Sequence, residues 1–247
     1  MVYVFAKGRG HKEIRTQLED FQGILQVDAY AGYSGLAKDG RAHGPIRLAF
    51  CLAHARRKFA DVYKASKSPT ARDVIERLGK VYAIEAEIRG TSAAERLAAR
   101  KARTAPLMAA LKTRLERALD EVSAKSPLAG AIRYSLNHWA GLTLFLDDGR
   151  IEVDNNTVER SMRPIALGRK NSLFAGNDGG AETWAILASL LNTARLNELD
   201  PFTWLNDVLE KIVSGQVKSH QLDQLLAWNW KAARKVAATP PDLEAAA

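Results

Sequence analysis

"GILQVDAY", residues 23–30, is a short apolar run that leads into an aspartate. Such a run, bounded by turn-forming residues, predicts a buried β-strand. Asp28 then lies at the carboxyl end of the strand, where open α/β sheets commonly present functional groups. An aspartate at this position can equally cap a helix or a turn, so both interpretations of Asp28 stay open.

The segments on either side of this run indicate a sheet covered by helices. "MVYVFA" at residues 1–6 is rich in β-branched and aromatic residues and predicts a strand, whereas "HKEIRTQLEDF" at 11–21 has apolar residues at helical spacing. "IRLAFCLAHARRKF" at 46–59 begins as a strand and becomes a basic helix near His54. The β-α-β-β order favours an α/β fold with a mixed sheet.

Helix-start signals dominate the chain after residue 60. Ser68 and Ser126 each precede a proline, and Ser92 is followed three residues later by Glu95, which are patterns typical of helix N-termini. We therefore predict that the α/β core is interrupted by a helical insertion. The predicted segments are a first part of the core at 1–60, a helical insertion at 61–146, a second part of the core at 147–200, a helical segment at 201–235 and a disordered tail at 236–247.

Charge points to a polyanionic partner. Lys and Arg number 36 against 28 Asp and Glu, which gives a formal charge of +8 and suits DNA, RNA or an anionic membrane. The segment "TSAAERLAARKAR" at 91–103 could face phosphates, although a solvated helix face is the more ordinary interpretation of its arginines, Arg96 and Arg100 among them. No apolar run approaches the ~20 residues of a spanning helix, and a single cysteine fits a reducing compartment. We expect a cytoplasmic protein.

"VDNNTVERSMRP", residues 153–164, sets polar side chains before a glutamate that is flanked by arginines. Asp154 or Asn155 is a suitable N-cap for a helix that follows. Glu159 would lie about one turn inside that helix. It could form an i,i+4 pair with Arg163, worth only ~0.2 to 0.5 kcal/mol, or it could serve a site. Spacing alone does not separate these roles.

Cys51 and His54 form a C-x-x-H pair, which raises the question of zinc. A structural zinc site takes four ligands, the chain has no second cysteine, and the other histidines show no ligand spacing, so zinc is not expected. The phosphate-binding, dinucleotide-binding and serine-esterase glycine motifs are absent from the sequence. The sequence therefore gives no support to nucleotide hydrolysis, dinucleotide binding or serine esterase chemistry.

Taken together, the motifs resemble a known family. "GILQVDAYAGY", "CLAHARRKF", "DNNTVERSMRPIALGRKNSLFAGNDGGAE" and "DPFTWLNDVL", in this order, resemble the catalytic portion of the insertion sequence 66 family of bacterial transposases. The resemblance extends from residue 1 to about residue 230. It implies an Asp-Asp-Glu triad on an α/β, ribonuclease H-like core with a mixed sheet and a large helical insertion.

The resemblance also implies roles for individual residues. Asp28 matches the second Asp of the triad and Glu159 matches its Glu, so both are expected to be catalytic and to hold Mg²⁺ or Mn²⁺. Carboxylate oxygens suit these hard cations, and a two-metal site in the complete enzyme could polarise the attacking and leaving oxygens of a phosphoryl displacement. Cys51 and His54 match the C-x-x-H pair of the family, as residues that support the site. The residues expected to bind DNA phosphates are Arg56, Arg57, Lys58, Arg160, Arg163, Arg169 and Lys170.

One departure from the family qualifies the expected activity. In relatives the first Asp lies on a strand that precedes the one opening this chain, so we expect the core to lack its first strand or strands and one catalytic carboxylate. The expected function is DNA cleavage and strand transfer in transposition, inactive in this form. The alternative is a non-catalytic DNA-binding remnant, and a ribonuclease H-like nuclease has weaker support. Expected partners are the element ends and target DNA, a second copy or other transposition proteins, and no membrane; the expected location is the bacterial nucleoid.

Overall fold

The computed structural model describes residues 1–8, 10–38, 41–168 and 175–238. The chain divides into two compact units, which are described separately. One unit comprises Gly8–Met162, and the other comprises Met1–Lys7 with Arg163–Ala247. The division falls inside a helix, so it differs from the boundaries at 146 and 200 that the sequence suggests. Arg169, Lys170 and the part of the predicted disordered tail after residue 238 lie outside the described residues.

The unit Gly8–Met162 holds a small sheet and most of the helices. Two strands, β1 (Ile24–Val27) and β2 (Arg47–Phe50), pair in parallel, with Val27 opposite Phe50. A 3-10 helix, Ala31–Ala37, lies in the connection between them. The helices of the unit are α1 (His11–Gln17), α2 (Leu52–Ser66), α3 (Pro69–Glu87), α4 (Ala93–Ala99), α5 (Ala105–Glu121), α6 (Pro127–Asn137), α7 (Trp139–Leu142) and the start of α8 (Asn156–Gly168).

Helix starts follow the signals in the sequence. The hydroxyl of Ser68 accepts the backbone N–H of Ala71 at the start of α3, and Ser126 does the same at the start of α6. Ser92 and Glu95 form a complete capping box at the start of α4. These predictions are confirmed because caps act locally, through side chains that satisfy the N–H groups left open in the first helical turn.

One large apolar core holds this unit together. It joins β2 to helices α2, α3, α5 and α6, and it includes fully buried side chains from α2 (Phe59), α3 (Leu78), α5 (Leu115) and α6 (Ile132). Helix α2 packs against α3 and α6, while α7 lies against β2. The close approach of α7 depends on Gly141, because a Cβ there would collide with the ring of Phe50. The core thus fixes the strand ends and the start of α2 relative to one another.

The α/β character is confirmed, but one predicted strand is wrong. Residues 1–6 form no strand. Instead, the backbone N–H of Tyr3 donates to Ser189 Oγ at 2.8 Å, and the amino group of Met1 donates to Thr193 Oγ1 at 3.1 Å. Ser189 and Thr193 lie one turn apart on a helix, so the segment bonds to helix side chains rather than to a strand backbone. The wider mixed sheet and the ribonuclease H-like arrangement stay predictions.

The second unit is built from helices. After the end of α8 it contains α9 (Asp178–Leu196), α10 (Pro201–Val213), a 3-10 helix (Ser219–Leu225) and α11 (Ala227–Ala238). Trp204 and Trp230 are buried in its small core, and Trp204 Nε1 donates to the carbonyl oxygen of Leu225 at 3.1 Å. None of the helices that the structure describes is both long and apolar enough to cross a lipid bilayer.

Candidate functional site

Asp28 lies where β1 ends, on the exposed side of a sharp turn. Its Oδ1 accepts the backbone N–H of Tyr30 at 3.1 Å. Between them, Ala29 has a left-handed backbone with φ of 64°. This conformation costs a residue with a Cβ roughly 1–2 kcal/mol, and such strain is concentrated at functional positions. The turn presents the carboxylate of Asp28 to solvent.

The sheet register brings Cys51 next to Asp28. Because Val27 pairs with Phe50, the residues that follow the two strands leave the sheet at the same end. The backbone N–H of Cys51 donates to the carbonyl oxygen of Val27 at 3.2 Å, which extends the pairing one step beyond the strands. Cys51 is 1% exposed and starts α2. The strand end that carries Asp28 therefore adjoins the start of the basic helix.

Two tyrosines lie near enough to Asp28 to be affected by its charge. Burial, together with the negative charge of Asp28, raises the pKa of Tyr33. Burial raises the pKa of Tyr134 as well, with smaller contributions from Cys51 and Asp28. The ammonium group of Lys58 lies over the ring of Tyr134, 4.3 Å from its centroid. Lys58, one of the residues predicted to bind DNA, thus lies on the side of α2 where Tyr134 borders Asp28.

A buried segment carries the chain from the helical insertion to α8. Gln26 on β1 donates from Nε2 to the carbonyl oxygens of Glu152 at 2.8 Å and Asp154 at 2.9 Å. The backbone N–H of Leu52 donates to the carbonyl oxygen of Val153 at 3.1 Å. These bonds join residues that are far apart in sequence, and they hold the start of α8 against β1 and the start of α2.

The insertion holds the same segment from the other side. Arg100 is fully buried, forms a two-point ion pair with Glu85 (2.8 and 2.7 Å), and donates to the carbonyl oxygens of Phe145 and Ile151. Arg96 bonds the carboxylate of Glu152 at 2.9 Å. The interpretation of Arg96 and Arg100 as members of a solvated helix face is therefore wrong, because both turn inward to satisfy backbone carbonyls and carboxylates.

Glu159 is on the first turns of α8 and faces α2. Its Oε1 lies 3.5 Å from His54 Nε2, so its partner comes from α2 rather than from its own helix. The sulfur of Cys51, a ring nitrogen of His54 and a carboxylate oxygen of Glu159 all lie within 4.8 Å of one another. Asp28 is outside this group of three, next to Cys51. We call Cys51, His54 and Glu159 the thiol-imidazole-carboxylate cluster.

The backbone of α8 also contacts the cluster. The N–H of Asn155 donates to Cys51 Sγ at 3.5 Å, and Asp154 caps the helix by accepting the N–H of Asn156 at 3.1 Å. Burial raises the pKa of the Cys51 thiol, although N–H groups that include that of Asn155 oppose this rise. Of the two residues predicted to cap this helix, Asn155 lies at the N-cap position and its carbonyl oxygen accepts the N–H of Glu159, while Asp154 bonds the first helical N–H from one residue earlier. Glu159, one turn further on, is left to face His54.

Arginines line two adjoining clefts at the start of α8. A cleft of about 280 Å³ is lined by Arg89, Arg96 and Arg160 and also by the acidic residues Glu85, Glu152 and Asp154, and Arg96 is already paired with Glu152. A second cleft of about 390 Å³ is lined by Arg56 and Arg57. Both clefts are lined by Tyr82 and Asn156 as well. We call the two together the arginine cleft. Its guanidinium groups suit the phosphates of a nucleic acid backbone, because Arg presents paired N–H donors to phosphate oxygens.

Tyr82 forms the floor shared by both parts of the arginine cleft. Its hydroxyl is buried, and burial together with the nearby negative charge of Asp154 raises the pKa of Tyr82 far above its usual range. Tyr82 therefore stays neutral and can donate a hydrogen bond. Neither Tyr82 nor Arg89 was identified from the sequence, since each lies on the long helix α3 or at its end without any motif around it.

The structure brings three of the predicted DNA-binding residues together. Arg56, Arg57 and Arg160 line the arginine cleft. Arg163 belongs to the other compact unit. Arg169 and Lys170 cannot be placed, because they lie outside the described residues. The phosphate-binding role of all of them stays a prediction.

Comparison with known proteins identifies a family whose models match this chain. The model of the transposase IS66 family matches residues 1–183, and the IS66 C-terminal element matches residues 189–228. The uncharacterized protein y4jD of Sinorhizobium fredii (strain NBRC 101917 / NGR234) is 55% identical over 232 residues, which cover 93% of this chain and 45% of that protein. The uncharacterized protein y4qI of the same organism is 43% identical, covering 94% of this chain and 43% of that protein.

The chain thus spans less than half the length of these curated relatives. No solved structure matches it. The family match covers both the strand end with Asp28 and the helix with Glu159, and it agrees with the resemblance that the sequence motifs carry. This chain belongs to the IS66 family of transposases.

Proposed function

We propose that this chain supplies Asp28 and Glu159 to a metal-dependent site for DNA cleavage and strand transfer in an insertion-sequence transposase. The observation that carries the proposal is that the strand end with Asp28 and the side chain of Glu159 both meet Cys51. The strand end with Asp28 adjoins Cys51 through the sheet, and Glu159 approaches the Cys51 sulfur from α8. Membership of a transposase family supports DNA as the substrate and the use of a divalent metal.

The two carboxylates are suited to a hard divalent cation. Asp28 is exposed at its turn, and the Glu159 side chain is 40% exposed, so both can exchange water for a metal ion. Oxygen donors are the ligands that Mg²⁺ and Mn²⁺ prefer. Such an ion, when bound, would polarise the scissile phosphate and lower the pKa of attacking water.

The remaining residues of the site would hold and orient DNA. Arg56, Arg57 and Arg160 would bind backbone phosphates in the arginine cleft, and Lys58 would add a cation on the Asp28 side. Hydrolysis at an element end would break the bond between phosphorus and the 3′ oxygen. The freed 3′-hydroxyl would then attack a phosphate of target DNA and displace the 3′ oxygen of the target strand, which leaves as a new 3′-hydroxyl. Both steps are in-line displacements at phosphorus, for which fixed position and charge are the main protein contributions.

We expect this chain alone to produce neither nicks nor strand-transfer products. A two-metal site needs carboxylates that bridge and flank both ions, and within the described residues Glu159 is grouped with a thiol and an imidazole rather than with further carboxylates. The measurement is cleavage of labelled DNA that carries the element ends, in Mg²⁺ or Mn²⁺, with Glu159→Gln as the matched variant. Products that depend on Glu159 would overturn the expected inactivity, and products that survive Glu159→Gln would overturn the proposed site.

We expect the chain to bind duplex DNA with little sequence preference and with strong salt dependence. Each phosphate contact by Lys or Arg contributes about 0.9 to the slope of log affinity against log salt concentration. Replacing both Arg56 and Arg57 by Ala should therefore lower that slope by about 1 to 2. The control replaces the exposed Arg72 and Arg117, which lie away from the arginine cleft, and should leave the slope unchanged.

Titration of labelled duplex by fluorescence anisotropy at several salt concentrations gives both slopes. An affinity that does not change with salt would contradict DNA binding through phosphates. Equal slopes for the two double variants would contradict the assignment of the arginine cleft.

A non-catalytic DNA-binding protein is the second candidate function. The observation that favours it is the composition of the cluster, in which Glu159 has Cys51 and His54 as its neighbours. This candidate keeps the arginine cleft and predicts the same DNA binding. It differs in one respect, because it does not require that Asp28 and Glu159 bind a metal ion together.

A further inference from the structure

The thiol-imidazole-carboxylate cluster has the donors of a transition-metal site. We propose that Cys51 Sγ, His54 Nε2 and a Glu159 carboxylate oxygen bind one Zn²⁺ ion, with the fourth position open to water. This site shares Glu159 with the hard-cation site proposed above but differs from it in its thiolate and imidazole donors, and its test requires neither DNA nor catalysis. Counting ligands along the sequence argues against zinc, but the fold adds Glu159 to the C-x-x-H pair.

The spacing of the donor atoms fits a tetrahedral ion. Zinc–ligand bonds of about 2.0 to 2.3 Å place any two ligands of a tetrahedron about 3.3 to 3.8 Å apart. His54 Nε2 and Glu159 Oε1 are 3.5 Å apart, within that range. The sulfur of Cys51 completes a triangle whose sides are all within 4.8 Å. Closing the triangle onto an ion therefore requires small side-chain rotations and no backbone rearrangement.

The chemistry of the donors selects the kind of ion. A thiolate and an imidazole suit Zn²⁺, whereas Mg²⁺ and Ca²⁺ prefer oxygen ligands. Zinc sites with three protein ligands leave a position for water, while structural sites are closed by four. The cluster has three donors, so the site is of the open kind. Binding converts the Cys51 thiol to a thiolate and releases its proton to solvent.

The surroundings of the cluster favour the binding of an ion by its three side chains. The N–H of Asn155 points at Cys51 Sγ from 3.5 Å and would stabilise a metal-bound thiolate. Cys51 is 1% exposed, but the His54 and Glu159 side chains are 25% and 40% exposed, which gives an ion a path from solvent.

Cobalt titration of the purified chain tests the site directly, because Co²⁺ replaces Zn²⁺ and reports its ligands by absorption. Cys51 is the single cysteine of the chain, so any thiolate-to-cobalt charge-transfer band comes from it. We expect such a band, together with the intense visible absorption of four-coordinate Co²⁺, and we expect Zn²⁺ to bleach both. Cys51→Ser should remove the charge-transfer band.

Single-residue variants distinguish an ion bound by all three side chains from an ion bound by the Cys51 thiol alone. His54→Gln and Glu159→Gln should each weaken Zn²⁺ binding in calorimetry by more than ~100-fold, which exceeds the ~10- to 100-fold cost of losing an outer-shell partner. The matched controls His43→Gln and Glu152→Gln change the same residue types outside the cluster and should bind Zn²⁺ as the unmodified chain does. Circular dichroism of each variant confirms that it is folded.

Each remaining outcome overturns the proposal. The absence of a charge-transfer band in the folded chain would show that Cys51 does not bind the ion. A band and an affinity that persist in both His54→Gln and Glu159→Gln would show binding by the thiol alone. Loss of affinity in a control variant would place the ion elsewhere.

Discussion

Replacing Arg100 by Ala is expected to lower the free energy of unfolding by about 3–5 kcal/mol, because breaking a buried ion pair from one side leaves its partner charged and without solvent. Glu85 would be that partner, since it is 7% exposed and bonded to Arg100 through both carboxylate oxygens. The carbonyl oxygen of Phe145 would lose the donor that Arg100 supplies, and that of Ile151 would keep only the longer bond from Arg96 at 3.3 Å. Ile151 begins the segment that carries the chain to α8, so this loss also reaches the start of the helix with Glu159.

Chemical denaturation followed by circular dichroism measures this change. The matched control is Arg103→Ala, which removes an ion pair with Glu87 whose side chains are 47% and 57% exposed, and it should cost no more than about 1 kcal/mol. The double replacement Arg100→Met with Glu85→Leu removes both charges and should recover most of the stability. Equal effects of Arg100→Ala and Arg103→Ala would contradict the structural role of the buried pair.

Local features of the fold are predicted well from the sequence. The run at 23–30 gives β1, the run at 46–59 gives β2 and α2, and the serine caps give the starts of α3, α4 and α6. These features depend on neighbours in sequence, through side-chain periodicity and capping bonds. The segment 1–6 has the composition of a strand and is not one, because pairing depends on a partner strand that composition does not reveal.

Burial of charged and apolar residues is predicted less well. Arg100 has the sequence context of a surface residue, yet it is fully buried because Glu85, fifteen residues earlier, supplies a counter-charge inside the core. On α9, the face of Trp184, Leu187, Leu191 and Ala194 has the spacing of a core face, and Ala194 is buried, but Trp184 and Leu187 are 45% and 39% exposed. Helical spacing identifies a face and does not show what covers it.

Only part of the candidate site could be predicted from the sequence. Asp28 was identified by its place at a strand end, and its pairing with Glu159 came from the family resemblance. The approach of Glu159 to His54 was not predictable, because it depends on the bonds of Gln26 and Leu52 to the segment before α8. Contacts between residues so far apart in sequence follow from tertiary packing alone.

Loss of either carboxylate should abolish the binding of a hard divalent cation. Asp28→Asn and Glu159→Gln keep the size of each side chain but remove the charge that Mn²⁺ or Mg²⁺ requires. We expect weak Mn²⁺ binding in the unmodified chain, since two carboxylates supply only some of the oxygen ligands that such an ion takes, and no detectable binding in either variant. Cys51→Ser should retain Mn²⁺ binding, because a thiol is a poor ligand for a hard ion, and this result separates the hard-cation site from the zinc site.

Asp28 and Glu159 are expected to hold one divalent cation together. Titration of Mn²⁺ followed by electron paramagnetic resonance tests it most directly, because the signal of the free ion falls as the ion binds. We expect the unmodified chain, Cys51→Ser and Glu152→Gln to reduce the free signal alike, whereas Asp28→Asn and Glu159→Gln should leave it at the level of buffer. Undiminished Mn²⁺ binding in folded Asp28→Asn or Glu159→Gln would contradict the claim.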